Sequence, residues 1–417
     1  MNRIAPFVGV MIASVLSIAC RPESAVSPRA AVTNVRVNLG AAFPFHEEPS
    51  IAVDQTGRIF IAWKDTSIPQ TANRDAFARS LDGGLTWSPP VEIERLSADR
   101  AQSDPWLLAG PSGVLIYAQQ HVCSIALVTS RDAGTTWSRP VSVHDRPGCA
   151  DKESMASDGR ANVYLVYHDI EDSSASIVLT MSRDGGISWS PTTVVARTAG
   201  EVYLAPSVAA TPDGHVYVAW WSLPDDNLKV ASSRDFGTTW GAARRVNPVP
   251  GSLPAARVGS SQSSYSLFPP FPSLAVSTAG AVFVAWPDYT TDNWDVLSSR
   301  SDDDGATWSA PTRISDESVG NQWMVSLGID SRDVLHAAWF DSRSNNTDVR
   351  YATSSDRGQT WSASFRVTTE ATPGAFNRLG DYLGLAVARD GTAHLSWTDV
   401  RGGDMNIYYA SVPPATR

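Results

Sequence analysis

"SRDGGISWS", residues 182 to 190, is one copy of a short pattern that organises the whole chain. The pattern is Ser-x-Asp-x-Gly-x-Thr/Ser-Trp, and it occurs six times in the 417 residues. The copies begin at Ser80, Ser130, Ser182, Ser233, Ser301 and Ser354. Their successive spacings of 50, 52, 51, 68 and 53 residues are typical of the blades of a β-propeller. A motif that recurs six times along the chain indicates a structural element, because a catalytic site is built once on a fold.

Each copy lies inside a unit that predicts four strands. Before the first copy come a strand "SIAV" at Ser50, a turn and a strand "IFIAW" ending at Trp63; a fourth strand "PVEI" follows the copy. Seven second strands end in an aromatic residue, namely Trp63, Tyr117, Tyr167, Trp220, Trp286, Trp339 and Trp397. The seventh unit stops after its third strand, and the segment from Thr33 to Leu39 is available to complete it. The sequence therefore predicts an all-β, single-domain propeller of seven four-stranded antiparallel blades closed by an N-terminal strand, with six blades as the alternative.

The first twenty residues are typical of an export signal. Arg3 precedes an apolar run from Ile4 to Ala19, which is short for a membrane span. The stretch "SIAC" resembles the lipidation box of bacterial lipoproteins, in which Cys20 becomes the lipid-bearing residue; an ordinary cleaved signal is the alternative. We expect a signal peptide at 1–20, a linker at 21–32, the propeller at 33–413 and a tail at 414–417. The protein is then anchored in the bacterial cell envelope by lipid alone, or is periplasmic or secreted.

Charge and cysteine content limit the partners. The formal net charge of −10 argues against nucleic-acid binding and leaves small molecules, glycans or proteins as partners. We expect the protein to be a monomer. Apart from Cys20 the chain has two cysteines, Cys123 and Cys149. Since an even pair in an oxidising compartment can persist as a disulfide, we predict that these two are joined.

The repeated motif is the Asp-box, or BNR repeat, and the chain from about residue 44 to residue 411 resembles the sialidase-like β-propeller superfamily. In an antiparallel blade the Asp-box, between strands three and four, lies on the same face as the first turn. Its Asp and Ser suit backbone hydrogen bonds, its Gly a positive φ angle and its Trp a contact between blades. Binding and catalytic residues are therefore expected in the longer loops of the opposite face.

The innermost strands line the channel of a propeller, and their first residues face its mouth. Aligned on the pattern Pro-Ser-apolar-Ala, this ring of positions reads Glu48, Asp104, Lys152, Ala205, Phe271, Met324 and Tyr382. Ring closure places Tyr382 beside Glu48. Titratable groups so close together are expected to shift one another's pKa values, as they do in active sites.

The resemblance implies catalytic roles for three residues. Sialidases use a Tyr nucleophile, a Glu that activates it and an Asp as acid/base. Tyr382 in "DYLGL" resembles the Tyr segment, Glu48 is its neighbour, and Asp75 in "RDAFARSLDGG" resembles the stretch before the first Asp-box. Asp75 has a second interpretation as a turn residue, because Asp295 and Asp348 occupy the same place in other blades.

Arginines and tryptophans complete the predicted binding site. Sialidases clamp the sugar carboxylate with three Arg, but "HEEPSIAV" stands where the first is expected. Candidate binding residues are Arg74, Arg343, Arg378, Arg401, Asp104, Lys152, Trp106, Trp221, Trp294 and Trp323. The four Trp are neither Asp-box nor strand-end residues, so they suit stacking on sugar rings, with ordinary packing as the alternative.

No cofactor or transition-metal motif is present in the sequence. Asp65, Asp169, Asp288, Asp341 and Asp399 recur two residues after the strand-end aromatics. We interpret them as loop caps or as partners of Arg on a solvated rim, with structural Ca²⁺ as the alternative. The enzymatic hypothesis is an exo-α-sialidase-like hydrolase of acidic glycans. The alternatives are a non-catalytic surface propeller that binds a glycan or protein, and a polysaccharide lyase using Tyr382 and Lys152.

Overall fold

The computed structural model describes residues 32–41, 44–66, 73–97, 101–110, 112–171, 174–199, 202–223, 227–248, 271–289, 293–344, 346–373 and 379–414. These residues contain 29 β-strands and no helix, so none of their segments is a helix that could cross a membrane. The predicted signal peptide with Cys20, nearly all of the linker, and Arg378 lie outside the described residues.

The strands form seven sheets, one for each predicted blade. Blade 1 contains β2 (Phe45–Val53), β3 (Ile59–Thr66), β4 (Arg74–Ser80) and β5 (Val91–Glu92). Blade 2 contains β6 (Ser103–Ala109), β7 (Leu115–Gln120), β8 (Ile125–Ser130) and β9 (Val141–Ser142). Blade 3 contains β10 (Cys149–Ser157), β11 (Val163–Glu171), β12 (Ser174–Ser182) and β13 (Thr193–Ala199). Blade 4 contains β14 (Val202–Ala210), β15 (Val216–Leu223), β16 (Asn227–Ser233) and β17 (Arg244–Arg245).

The remaining three blades follow the same order. Blade 5 contains β18 (Ser273–Val276), β19 (Val282–Asp288), β20 (Asp295–Ser301) and β21 (Thr312–Arg313). Blade 6 contains β22 (Gln322–Ile329), β23 (Leu335–Asp341), β24 (Asn346–Ser354) and β25 (Phe365–Arg366), and the short β26 (Thr372–Pro373) also pairs with β24. Blade 7 contains β27 (Gly384–Val387), β28 (Ala393–Asp399), β29 (Asn406–Val412) and β1 (Val35–Arg36).

The N-terminal strand closes the ring. β1 pairs antiparallel with β29, with Val35 opposite Tyr409 and Arg36 opposite Tyr408. The last blade thus contains strands from both ends of the propeller, and β27 lies next to β2 of blade 1. The prediction of a closed seven-bladed propeller is confirmed, and the six-bladed alternative is wrong.

The Asp-box is a hydrogen-bonded turn. In blade 1 the Ser80 hydroxyl donates to Asp82 Oδ1 at 2.8 Å and accepts from the Gly84 backbone N–H at 2.8 Å. Asp82 accepts in turn from the Thr86 backbone N–H at 2.9 Å. The same three bonds recur in the other five copies. Hydrogen bonds from Thr86 lower the pKa of Asp82 to about 2.

The Asp-box Trp and Gly pack against the preceding blade. The Trp137 ring meets Phe77 of blade 1 edge-on with 5.1 Å between centroids, and Trp87 meets Tyr409 of blade 7 at 5.2 Å. Gly84, at a φ angle of 92°, lies so close to the Tyr409 ring that a Cβ atom would overlap it. All of these groups are used in turn formation and blade packing, which agrees with the scaffold interpretation.

The recurring Asp residues after the second strands are also structural. The indole N–H of Trp63 donates to Asp65 at 2.5 Å, and that of Trp397 donates to Asp399 at 2.9 Å. Asp399 also pairs with Arg401 at 2.5 Å. The predicted pairing with Arg is therefore present in blade 7 and also in blade 6, where Arg343 pairs with Asp341. The solvated rim is wrong, because all five of these Asp side chains are buried.

Candidate functional site

Five of the seven ring positions interrupt their strand in the same way. The ladders of β2, β6, β10, β14 and β22 each shift register at this point. The ring residues there have left-handed φ angles of 38° to 58°: Glu48, Asp104, Lys152, Ala205 and Met324. Such angles are costly for residues with a side chain, and bulges turn side chains away from the regular ladder. Equivalent strained positions around one axis mark this ring as the candidate site.

Five of the seven ring residues line a central cavity of about 320 Å³, namely Lys152, Ala205, Phe271, Met324 and Tyr382. All seven innermost strands contribute to its wall, which is mostly apolar along its length. Lys152, Asp381 and Tyr382 line the cavity together with Trp106 and Phe271. The cavity thus combines aromatic rings and charged groups where the innermost strands begin, as ligand pockets commonly do.

The charged groups form what we call the mouth cluster: Glu48, Lys64, Asp104, Lys152 and Asp381. Carboxylate oxygens of the three acids lie within 4.8 Å of one another. Lys152 Nζ is 2.9 Å from Asp104 and 2.7 Å from Asp381, and Lys64 Nζ is 2.7 Å from Glu48. The two ammonium groups hold the three carboxyl groups together.

Tyr382 contacts the mouth cluster through Asp104. Its hydroxyl donates to Asp104 Oδ1 at 3.2 Å, whereas the sequence predicted Glu48 as its partner. Its ring packs edge-on against Trp106 with 6.4 Å between centroids, and Lys152 Nζ lies 5.2 Å from its centroid. Burial, then the negative charge of Asp104, raises the pKa of Tyr382 well above its ordinary value. Tyr382 is therefore a protonated hydrogen-bond donor at neutral pH.

The pKa values of Glu48 and Asp104 shift in opposite directions. Burial raises the pKa of Glu48 to about 8, against the opposing charge of Lys64. Burial alone would also raise the pKa of Asp104, but the charges of Lys152 and Lys64 outweigh it and bring the pKa below its ordinary value. Of the two carboxyl groups, Glu48 therefore holds its proton to the higher pH and Asp104 ionises first.

The structure places Asp75 in the interior and not in the wall of the cavity. Its side chain accepts a hydrogen bond from the Tyr117 hydroxyl, and its backbone N–H donates to Gln102 at 3.1 Å. Burial raises the pKa of Asp75 to about 7. The position of Asp75, which is 0% exposed and is bonded to Tyr117, does not support the predicted acid/base role.

Only one of the four candidate Trp residues lies at the cavity. Trp106 lines it, but Trp221, Trp294 and Trp323 are buried in hydrophobic clusters between blades. Stacking of these three rings on a sugar is therefore wrong, and the packing alternative is correct for them.

The candidate Arg residues do not form a carboxylate clamp in the described part of the chain. Arg74 pairs with Glu92 on the outermost strand of blade 1 at 2.5 Å, Arg343 pairs with Asp341 and Asp316, and Arg401 pairs with Asp399. Arg378 lies outside the described residues. Among those that are described, no Arg lines the cavity.

Sequence reasoning missed Lys64, Asp381 and Glu153. Lys64 follows the strand-end Trp63, at a position where other blades have residues such as Ala118 or Phe340. A cationic residue in blade 1, at a position where these blades have a small or apolar one, was a signal in the sequence for a charged site. Asp381 precedes Tyr382 in "DYLGL", and its inward orientation depends on closure of the ring, which a local pattern does not contain.

The mouth cluster has oxygen atoms that could ligate a cation, but the negative charge of its carboxyl groups is already balanced in part. Glu48, Asp104 and Asp381 offer oxygens within 4.8 Å of one another. Two ammonium groups lie within 2.9 Å of these same carboxyl groups. Structural Ca²⁺ stays a prediction from the sequence.

A disulfide joins Cys123 to Cys149, across 26 residues of sequence. Cys123 lies in the turn between β7 and β8 of blade 2, and Cys149 begins β10 of blade 3. The bridge thus ties blade 2 to the strand that carries Lys152, three residues further on.

We expect the free energy of unfolding to fall as pH rises from about 5 to 8. Glu48 has a pKa raised from 4.5 to about 8, and burial likewise raises the pKa of Asp75 and Asp151 from 3.8 to about 7. The native state keeps these protons after the unfolded chain has released them, so each group's contribution is complete below its unfolded pKa and is lost towards its folded pKa. The slope is roughly 1.4 kcal/mol per pH unit for each group. Burial lowers the pKa of His168 and His394 to about 4, and these two groups oppose the fall below about pH 6.5, so the steepest loss is expected between pH 6.5 and 8.

Urea unfolding at pH 5, 6.5 and 8 measures this dependence. Asp75→Asn, which stays neutral and can still accept from Tyr117, should flatten the slope. Asp82 makes the free energy of unfolding rise with pH, but only at lower pH, because its stabilising contribution is lost as pH falls through about 2. Stability that increases from pH 5 to pH 8 would contradict the assignment of these buried acids.

Comparisons with known proteins agree with the fold. Residues 106–268 match the BNR repeat-like domain family. No curated protein sequence matches the chain. A protein of unknown function from Dyadobacter fermentans DSM 18053 superposes with a TM-score of 0.57 and 15% identity, over 92% of this chain and 98% of that chain.

Two other similar structures are enzymes that act on glycans. The Hadza microbial sialidase Hz136 has a TM-score of 0.53 and 18% identity, over 74% of this chain and 66% of that chain. The α-L-arabinanase of Penicillium chrysogenum, complexed with arabinobiose, has a TM-score of 0.50 and 13% identity, over 92% of this chain and 98% of that chain. These identities are low, so the likeness concerns the fold. The chain is a seven-bladed β-propeller built from BNR-type repeats, similar in fold to sialidases and an arabinanase.

Proposed function

We propose that the protein is a glycoside hydrolase that acts on an uncharged glycan, with Glu48 as the proton donor and Asp104 as the ionised carboxylate. The observation that carries this proposal is the pair itself. Their carboxylate oxygens lie within 4.8 Å of each other, and their pKa values are shifted apart, Glu48 to about 8 and Asp104 below its ordinary value. Glycosidases that retain the anomeric configuration place two carboxyl groups about 5 to 5.5 Å apart, one protonated and one ionised.

The charge around the cavity favours an uncharged sugar over an acidic one. Six acidic side chains interact electrostatically at the mouth: Glu47, Glu48, Asp104, Asp151, Glu153 and Asp381. In the part of the chain that the structure describes, Lys64 pairs with Glu47 and Glu48, and Lys152 pairs with Asp104 and Asp381. Since an anionic sugar needs a free cationic partner, the sialidase hypothesis is the weaker form of the proposal.

The walls of the cavity supply the remaining requirements of a sugar site. Trp106, Phe271 and Tyr382 offer aromatic surface, and the Tyr382 hydroxyl lies on Asp104. Glu48 and Asp104 lie behind this wall, each 4% exposed. Tyr382 and Lys152 line the cavity and both bond Asp104, so they connect it to the space that a sugar would occupy. The proposal requires that binding of the sugar moves these two residues aside from Asp104 and Glu48. In this proposal Asp104 attacks the anomeric carbon as the glycosidic bond breaks, and Glu48 gives its proton to the leaving oxygen. Water then gives a proton to Glu48 and attacks the anomeric carbon, which breaks the bond to Asp104 and releases the sugar.

Hydrolysis of matched oligosaccharides tests the proposal. Arabinobiose, xylobiose, cellobiose and lactose are the uncharged probes, and 3′-sialyllactose is the anionic partner of lactose. We expect turnover of at least one uncharged disaccharide, with retention of configuration observed by NMR, and no release of sialic acid. Turnover confined to 3′-sialyllactose would overturn the choice of substrate class. Binding of a disaccharide without hydrolysis would favour a non-catalytic propeller that binds a glycan. The burial of Glu48 and Asp104 agrees with that alternative.

A further inference from the structure

One ring-adjacent position carries an unusual residue. In the innermost strands, the residue after the ring position is Pro49, Pro105, Glu153, Pro206, Pro272, Val325 or Leu383. Six of the seven are apolar, and only blade 3 has an ionisable side chain there. Because these positions face the same cavity, Glu153 is a polar group in a layer that is otherwise apolar.

Glu153 is buried in the cavity wall without a hydrogen-bond partner. Its exposed fraction is 2%, and neither carboxyl oxygen has a partner among the described residues. Glu153 lies in the irregular stretch of β10 between Asp151 and Ser154, so the regular pairing with β11 does not determine which way its side chain points. A buried polar group without partners lowers stability, and it persists in a protein where a ligand supplies the missing bonds.

The surroundings of Glu153 keep its carboxyl group neutral. Burial has the largest effect and raises the pKa of Glu153 well above its ordinary value; the charges of Asp104 and Asp151 act in the same direction. The backbone N–H of Glu153 itself, with an effect larger than that of Asp151, and the charge of Lys152 act in the opposite direction, and burial outweighs them. A neutral carboxyl group has one O–H donor and one carbonyl acceptor, the combination that a sugar hydroxyl can match with its own acceptor and donor.

We propose that Glu153 is the hydroxyl-binding residue of the cavity, whose carboxyl group donates one hydrogen bond to the terminal residue of an uncharged glycan and accepts another from it. This inference rests on the proposed function and specifies its substrate. The cavity of about 320 Å³ is at the small end of ligand pockets, roughly 300 to 1,000 Å³, so it suits one sugar residue and not a chain. Glu153 is thus a specificity residue, and the reacting carboxyl groups are Glu48 and Asp104.

Calorimetric titration with monosaccharides tests Glu153 without any catalytic step. L-arabinose, D-xylose, D-glucose and D-galactose are titrated into the full chain at pH 7. Glu153→Gln keeps one donor and one acceptor and should bind within about threefold of the wild type. Glu153→Leu copies the residue that blade 7 has at this position and should bind at least about tenfold more weakly, with a melting temperature equal to or above that of the wild type.

The outcomes separate this inference from the proposed function. Unchanged affinity in Glu153→Leu overturns the role of Glu153. An equal tenfold loss in Glu153→Gln overturns the neutral donor and acceptor, because an ionised carboxylate would then be required. Sugar binding that depends on Glu153 without hydrolysis of any disaccharide refutes only the catalytic proposal. If the wild type binds none of the four sugars, the hydroxyl-binding role of Glu153 is wrong, and hydrolysis of the disaccharides then decides separately on Glu48 and Asp104.

Discussion

Glu48→Gln is expected to lower kcat on an uncharged disaccharide by roughly 10²- to 10⁴-fold, the range of a lost general acid. The amide cannot protonate the leaving oxygen, but it keeps the size of the side chain. Asp104→Asn should cost at least as much, because it removes the negative charge next to the anomeric carbon and leaves Lys152 without one of its two carboxylate partners. Both variants are measured by release of the monosaccharide over time.

The leaving group distinguishes a proton donor from a merely structural residue. A nitrophenyl glycoside of the same sugar leaves without protonation, so Glu48→Gln should lose much less activity on it than on the disaccharide. Asp104→Asn should lose activity on both substrates. If Glu48→Gln lost the same activity on both substrates, Glu48 would not be the general acid. Glu92→Gln, on the outermost strand of blade 1, is the control with wild-type activity.

The pH profile offers an independent check on the same assignment. A general acid must be protonated, and burial raises the pKa of Glu48 to about 8. The value of kcat/KM should therefore hold up to about pH 8 and fall above it. Activity that continues to rise beyond pH 9 would argue that a different group supplies the proton.

The blades could be predicted from sequence because their signals are local. Each Asp-box fixes a turn by hydrogen bonds within five residues, as from Ser80 to Gly84, so its pattern is visible in one short segment. Closure was predictable for a related reason: the seventh unit lacks a strand, and Val35 and Arg36 lie in an unassigned segment that supplies it. The ring positions also followed from one alignment of the innermost strands.

Exposure could not be predicted in the same way. Trp220 and Trp221 are neighbours in β15 that point to opposite faces of the blade, yet both are 0% exposed. In a propeller each blade is covered on both faces by its neighbours, so alternation along a strand does not separate buried from exposed residues. Assigning Trp221 to a binding surface failed for this reason.

The partners in the mouth cluster were not predictable from sequence, because they depend on bulges and on ring closure. A register shift of one residue reverses which side chains face the channel. Pro49 and Pro105 mark the shifts in β2 and β6, but the shift in β10 has Glu153 at the same place and no such mark. Lys152 pairs with Asp381 across 229 residues of sequence. Such a contact exists only once the seven blades have closed.

Starting the chain at Gly40 instead of Val32 is expected to lower the free energy of unfolding by roughly 5 kcal/mol or more. The lost segment contains Val37, which is buried and whose backbone N–H donates to Ile407 at 2.8 Å. It also contains Asn38, which accepts from the Ile407 backbone N–H at 3.1 Å and donates to Asn406 at 3.1 Å. Burying a Val side chain contributes about 1.5 to 3 kcal/mol and each hydrogen bond about 0.5 to 1.5 kcal/mol.

Loss of this strand also exposes the edge of β29, whose unpaired backbone groups can pair with another chain. The Gly40 variant should therefore aggregate at concentrations where the Val32 variant stays monomeric in gel filtration. If the shorter chain does not fold at all, Asn38→Ala in the longer chain supplies a milder test, with an expected loss of about 1 to 3 kcal/mol from the unpaired Ile407 and Asn406 groups. Equal stability of the Val32 chain, the Gly40 chain and Asn38→Ala in urea would mean that the ring is held by its other blade contacts and that its N-terminal closure is dispensable.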